Sequence, residues 1–242
     1  MATSNRTVEV LADKPSLVDR AQEIILSRLD TAIEARDRFT IALSGGSTPK
    51  SLYEALSSQD LPWSKIHIFW GDERYVPSTH SDSNQLMAKQ AWLNKVEIPA
   101  ANIHPMDTSA KDPARDASKH EAQLQQFFQT EPGTFPKFDL ILLGMGDDGH
   151  TASLFPHTEA LKVRDRSITV GNKDGQPRLT FTVPLINHAR CVMFLIAGAN
   201  KRSALKQVFA TQGDDTQYPS RLIDPEGELL WLLDSAAAAE LN

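Results

Sequence analysis

The sequence predicts an α/β fold: a Rossmann-like open, mainly parallel sheet with helices on both faces and a small antiparallel addition, in a single domain over residues 1–242. Three observations predict it. Apolar runs of strand length alternate with segments of helical period, the signature of a βαβ series. The run FDLILL carries no polar residue after Asp139, as expected of a parallel strand covered on both faces. Later the pattern changes to RSITVG and RLTFTV around the turn-rich NKDGQP, which read as an antiparallel pair.

Taken in order, RTVEVLA opens as a strand. From residue 15 to about 37, Leu17, Val18, Ala21, Ile24, Ile25, Leu29, Ala32 and Ile33 recur at helical spacing and mark one amphipathic helix. Strand FTIAL, loop SGGST and a helix entered at Pro49 follow; proline suits a first helical turn because its missing N–H would be an orphan there. KIHIFW is the next strand, GDERYVPSTHSDS a polar loop, and SNQLMAKQAWLNKV a helix. A further helix over about 114–129 precedes FDLILL. After the antiparallel pair come strand RCVMFLIAG, a helix over about 200–210, strand ELLWLLD and a short Ala-rich helix.

With 40% hydrophobic against 23% charged residues, the chain has ordinary globular composition and can bury a full core. Its net charge of -6 is spread along the sequence, which argues against nucleic acid or an anionic membrane surface as partner. An anionic ligand must therefore be met by a local cluster of cations. The one cysteine, Cys191, lies in the apolar run CVMFLIAG, so it reads as a core residue and allows neither an internal disulfide nor a cysteine metal cage. The N-terminal stretch has no basic region followed by an apolar one, and no run approaches the roughly 18 apolar residues of a membrane span. A cytoplasmic location is the default expectation.

Between a strand and a helix, Ser44, Gly45, Gly46, Ser47 and Thr48 form an anion-site pattern: two glycines admit a ligand close to the backbone, and the helix start offers unpaired N–H groups. Pro49 stands where a nucleotide-binding P-loop needs its second glycine, which argues against a nucleoside triphosphate. A tight turn without ligand is the plain alternative. Arg178 and Lys201 could complete a phosphate site. Lys201 and Arg202 open a helix, where the macrodipole disfavours cations by about 0.3–1 kcal/mol unless an anion sits nearby; otherwise both side chains extend into solvent.

GMGDDG fits the dinucleotide pattern G-x-G-x-x-G, but Asp147 and Asp148 would face the pyrophosphate and the motif lies mid-chain. His150 follows directly, placing an imidazole at the carboxyl end of a buried strand, where open α/β sheets bind ligands. Acidic neighbours could orient it as a general base. A second acidic loop, Asp72-Glu73-Arg74, would emerge at the same edge, so that Asp72, Asp148 and His150 could share a cleft. The same groups could ligate a divalent metal, but no paired-histidine spacing supports this, and opening an ester needs no Lewis acid. No G-x-S-x-G elbow is present to indicate a serine acyl-enzyme.

LSGGSTPKSLYEAL, FWGDERYVPSTHSDSN, DLILLGMGDDGHTASLFP, RLTFTVPLIN, FLIAGANKRSAL, PSRLI and WLLDSAAA together resemble the 6-phosphogluconolactonase family, within the wider group that contains glucosamine-6-phosphate deaminase. The resemblance runs nearly end to end. It implies a single-domain Rossmann-like fold and a cofactor-free hydrolase of the pentose phosphate pathway acting on a sugar-phosphate lactone. It also implies that Ser44, Gly45, Gly46, Ser47, Thr48, Arg178 and Lys201 hold the phosphate, that Asp72 and Arg74 line the substrate site, and that His150 is the catalytic base. Deaminase relatives place a glutamate five residues after the histidine and have D-E-Y; here those positions are Phe155 and Asp72-Glu73-Arg74, which favours the lactonase branch. A sugar-phosphate-sensing regulator of related fold would need a DNA-binding segment, and none is visible. Whether Asp72 or Asp148 partners His150 is a question of geometry, and monomer or dimer stays open.

Overall fold

The computed structural model describes residues 6–131 and 133–241; of the N-terminal stretch screened for a leader, residues 1–5 lie outside them. The first helix shows how local sequence sets an element. Asp13 accepts from the Ser16 N–H at 2.9 Å to cap α1 (Lys14–Arg36), and Asp37, in left-handed conformation at φ 57°, ends it by donating its N–H to the Ile33 carbonyl at 2.8 Å. β1 (Arg6–Leu11) precedes this helix and β2 (Phe39–Leu43) follows it. The chain then runs through α2 (Ser47–Leu56), β3 (Ile66–Trp70), β4 (Asp72–Arg74), α3 (Asn84–Ala91), α4 (Pro113–Phe128) and β5 (Leu140–Leu143). β6 (Ile168–Lys173), β7 (Gln176–Phe181), α5 (Val183–Asn187), β8 (Cys191–Ile196), α6 (Arg202–Phe209), β9 (Glu228–Asp234) and α7 (Ser235–Ala238) complete it.

The main sheet has six strands in the order β1-β9-β8-β5-β2-β3, every neighbouring pair parallel. β2, β5 and β8 are buried along their whole length, which is why they read as unbroken apolar runs. Side-chain alternation divides the core in two. From β8, Val192, Phe194 and Ile196 join one cluster with residues of α4, α5, α6 and α7, while Cys191, Met193 and Leu195 join the other with α1, α2 and α3. Helices therefore cover both faces, as the sequence predicts. Cys191 is fully buried, and burial pushes its thiol up to about 12. Among the described residues no helix is long and apolar enough to cross a membrane.

The antiparallel addition is larger than expected. β6 and β7 pair as predicted, joined by Asp174 and Gly175 at φ 53° and 83°, the two left-handed positions that a tight hairpin turn needs. A third strand, β4, comes from the segment expected to be a polar loop: Asp72, Glu73 and Arg74 pair antiparallel with Thr180, Leu179 and Arg178. RLTFTV also stops short as a strand. Thr182 accepts from the Leu185 N–H to cap α5, which has Pro184 in its first turn. The predicted helix SNQLMAKQAWLNKV breaks at Trp92, whose backbone leaves helical geometry at φ -140° and ψ -66°; a 3₁₀ turn, Leu93–Lys95, follows. There the Trp92 ring is stacked on Tyr53, with centroids 5.8 Å apart.

At the amino ends of the strands, buried Asp139 binds β5 to β2 and gathers two arginines. It accepts from the Thr40 N–H at 2.9 Å and the Thr40 hydroxyl at 2.8 Å, and it pairs with Arg36 at 2.9 Å and Arg190 at 3.4 Å. Asp139→Ala is expected to strand the buried Thr40 N–H and unpair two partly exposed guanidinium groups, lowering stability by about 1–3 kcal/mol in urea denaturation followed by tryptophan fluorescence.

Candidate active site

In the strand order, β3 lies on one side of β2, and β5, β8 and β9 follow on the other. The crossover direction thus reverses between β2 and β5, and a crevice opens beyond their carboxyl ends. The two loops leaving these strands adjoin: a Cβ placed on Gly144 would lie 3.7 Å from the Ser44 hydroxyl oxygen. The sequence places both of its glycine motifs here.

The loop after β2 is pinned by Tyr53, whose buried hydroxyl accepts from the Ser44 N–H at 2.9 Å and donates to the Ser44 carbonyl at 2.8 Å. Both glycines have a reason. A Cβ on Gly45 would come within 2.2 Å of the Asn84 Oδ1, and Gly46 sits at φ 105°. Gly46 precedes α2 without any side-chain cap, so the first N–H groups of that helix point outward unclaimed by a capping side chain. Ser47 is exposed and Thr48 buried in this first turn. Lys14, from the start of α1, donates its ammonium to the Ser47 carbonyl at 2.9 Å and brings a cation to the loop that sequence reasoning missed.

The loop after β5 folds back on itself through bonds from the Gly146 N–H to the His150 carbonyl (2.9 Å) and from the Thr151 hydroxyl to the Gly144 carbonyl (2.8 Å). The imidazole of His150 lies over Gly146, where any Cβ would be 2.2 Å from Nδ1. Asp148 meets the same Nδ1 at 2.5 Å and also accepts the His150 backbone N–H at 3.1 Å. Burial raises the pKa of the Asp148 carboxyl, but the hydrogen bonds from the His150 ring and N–H outweigh it and hold the group at about 2. An ionised carboxylate only accepts, so Nδ1 carries a proton, and in the neutral tautomer this fixes, Nε2 has the lone pair. Nε2 has no partner among the described residues. The partner of His150 is Asp148, not Asp72.

Asp72 belongs to a neighbouring network. It accepts from the Ser153 hydroxyl at 2.7 Å and from the Asn84 amide at 3.3 Å, and it makes no bond to His150. Ser153 and Asn84 tie it to the histidine loop and the Gly45 loop respectively. Glu73 points the other way, as alternation along β4 requires, and accepts the N–H groups of Arg74, Asn84 and Gln85, each at 2.8 Å. Burial pushes its carboxyl up even so. Arg74 lies in register with Arg178; its Nη1 donates to the Asp82 carbonyl at 2.8 Å, while its buried Nε has no acceptor among the described residues. Arg178 is half-buried, and its guanidinium makes no hydrogen bond or ion pair among the described residues; burial and then the charge of Arg74 push it below its ordinary value.

Lys201 ends a 3₁₀ turn (Ala199–Lys201) ahead of α6 and pairs with Asp147 at 3.1 Å. That carboxylate supplies the anion which the helix start calls for, so the position of Lys201 does not by itself require a ligand. Arg202 is turned away, donating to the Ala236 carbonyl at 2.7 Å. Besides Lys14, sequence reasoning missed Asn84 and Ser153 and gave Asp147 no role at Lys201; Ser83, an N-cap residue directly before Asn84, is the signal that could have placed Asn84 at an ordered helix start. A cavity of about 1310 Å³ lies beyond Tyr75, lined by Phe69, His104, His120 and Phe127, and touches none of the predicted site residues. Its histidines are pushed down to about 4 by burial and pack as neutral rings.

The family described as glucosamine-6-phosphate isomerases/6-phosphogluconolactonase matches residues 12–231. The chain belongs to this family. Among its members, a 6-phosphogluconolactonase of Nostoc sp. is 65% identical over 237 residues, spanning 98% of this chain and 99% of its own. One of Synechocystis sp. is 63% identical over 97% of this chain and 98% of its own. The solved 6-phosphogluconolactonase from Trypanosoma cruzi superposes with a TM-score of 0.88 at 30% identity, covering 99% of this chain and 98% of that one. A monomeric glucosamine-6-phosphate deaminase, 17% identical with a TM-score of 0.78 over 96% of this chain and 99% of its own, shares the fold.

Because the folded Asp148 lies below its ordinary value, the stability it contributes is present above the ordinary carboxylate range and is lost as pH falls through about 2. Carboxyl NMR titration is expected to give a midpoint near 2 for Asp148, and His150→Ala should move that midpoint upward by removing the ring's hydrogen bond and charge.

Proposed function

We propose that this chain, as one lactonase domain over residues 1–242, hydrolyses 6-phospho-D-glucono-1,5-lactone to 6-phospho-D-gluconate in the oxidative pentose phosphate pathway. The observation that carries the mechanism is the Asp148–His150 contact at 2.5 Å, which leaves Nε2 as a base at the mouth of the crevice. The substrate is assigned from the lactonase relatives and from an anion-accepting loop beside that base.

The phosphate docks on the loop from Ser44 to Thr48, with Arg178 and Lys201 as its cations, so that binding far from the reacting carbon fixes the lactone ring. Nε2 of His150 takes a proton from water as the oxygen adds to C1. Asp148 stabilises the imidazolium through Nδ1. Arg74, whose Nε has no acceptor among the described residues, is assigned to the oxyanion. Collapse of the tetrahedral intermediate breaks the bond from C1 to the ring oxygen, which takes the proton back from Nε2, and the new carboxylic acid ionises in water. Asp72, held by Ser153 and Asn84, shapes the wall of the site. No step calls for a metal ion or cofactor.

Lactonase assays on freshly generated substrate, corrected for spontaneous hydrolysis, should show rapid turnover that is unchanged by a chelator. His150→Ala is expected to lower kcat by about 10²–10⁴ while 6-phosphogluconate still binds. A variant retaining full turnover would remove His150 from the role of base. Lys201→Ala should chiefly raise KM, and an unchanged KM would separate Lys201 from the phosphate.

A further inference from the structure

Phe155 is buried, and its ring touches two groups that act at different ends of the substrate. One is the imidazole of His150, with ring centroids 4.4 Å apart and planes inclined by 42°. The other is Arg178, whose guanidinium carbon lies 5.4 Å from the centroid of the same ring. Lys173, from the end of β6, places its ammonium 5.7 Å from that centroid as well.

Arg178 is held as Arg6 and Arg38 are, by an aromatic face; those two guanidinium carbons lie 4.7 Å and 4.9 Å from the ring centroids of Phe209 and Phe127. Arg20, Arg36 and Arg221 are fixed by carboxylates, which occupy their N–H donors. The Arg178 guanidinium has the π face of Phe155 as its contact and no hydrogen-bonding partner among the described residues. A ring face attracts a guanidinium through its quadrupole and leaves all five N–H donors unspent. Arg178 is also half-buried beside Arg74, whose charge opposes its own, while Asp72, Asp82 and Glu73 support it.

We propose that Phe155 is a positioning residue that aims the Arg178 guanidinium at the substrate phosphate through a cation–π contact while bracing the ring of His150. The proposal rests on the lactonase reading above. It differs from a packing role in one respect: an aliphatic side chain of similar bulk fills the space but has no negative ring face.

The test compares Phe155→Met and Phe155→Leu, which lack a ring, with Phe155→Tyr, which keeps one. With all variants shown to be folded by circular dichroism, the ring-free pair should raise the Kd for 6-phosphogluconate, read by calorimetry, by about 2- to 30-fold, and Phe155→Tyr should restore it. KM for the phosphorylated lactone should follow. In the Arg178→Ala background, Phe155→Met should cost no further affinity, because the contact it removes is already gone. Equal affinity for the Met, Leu and Tyr variants, or additive losses in the double variant, would overturn the proposal. Should the ring-free variants not fold, the wild-type protein still decides: the side-chain protons of Arg178 should carry a ring-current shift that moves when 6-phosphogluconate binds, and their absence of shift counts against it. A wild-type protein without lactonase activity would instead sink the functional reading itself, leaving the two failures distinct.

Discussion

The reversal of crossover direction between β2 and β5 is the constraint on which the site depends. Parallel strands that adjoin in the sheet while their helices leave to opposite faces cannot be covered at their carboxyl ends, so a crevice is fixed by topology before any side chain is chosen. The glycine loops exploit that gap. Gly45 accepts the close approach of Asn84, Gly146 that of the His150 ring, and Gly144 sits against Ser44. The first two contacts require a missing Cβ, and together the three bring a helix start and an imidazole to one place without lining the crevice with bulk.

Electrostatics then divides the labour within an acidic protein. Two acidic neighbours in one loop take separate tasks: Asp148 fixes the tautomer of His150, and Asp147 holds Lys201. On the small sheet, Arg74 and Arg178 stand side by side, and the charge of Arg74 works against that of Arg178 while Asp72, Asp82 and Glu73 support it. Under the proposed function these are the cations that meet the substrate's negative charge, and His150 moves the proton.

The large parallel sheet is legible in the sequence because its central strands are dry on both faces and therefore uniformly apolar. β4 is illegible for the opposite reason: three charged residues read as loop, and only pairing with β7 and burial among Asn84, Ser153 and backbone N–H groups make them a strand. His150 can be singled out by its position after a buried strand, but its partner cannot. Asp72 and Asp148 are equivalent as letters, and the choice falls to Asp148 because the loop turns back at Gly149, at φ 80°, and delivers its carboxylate to Nδ1. Asn84 is hidden too, since its role depends on lying against Gly45 from a different helix.

Glu73 carries a further consequence. By accepting N–H groups from Arg74 on one side and from Asn84 and Gln85 on the other, a single carboxylate closes the base of the intervening segment as a drawstring closes a bag. Asp72 and Asn84 are thereby set by the knot and not by the span between. Residues from about 76 to 81 could be lengthened at little thermodynamic cost, since each doubling of a flexible loop adds only about 0.6 kcal/mol. The enzyme thus has, beside its crevice, a place where new surface can be acquired without disturbing the old chemistry.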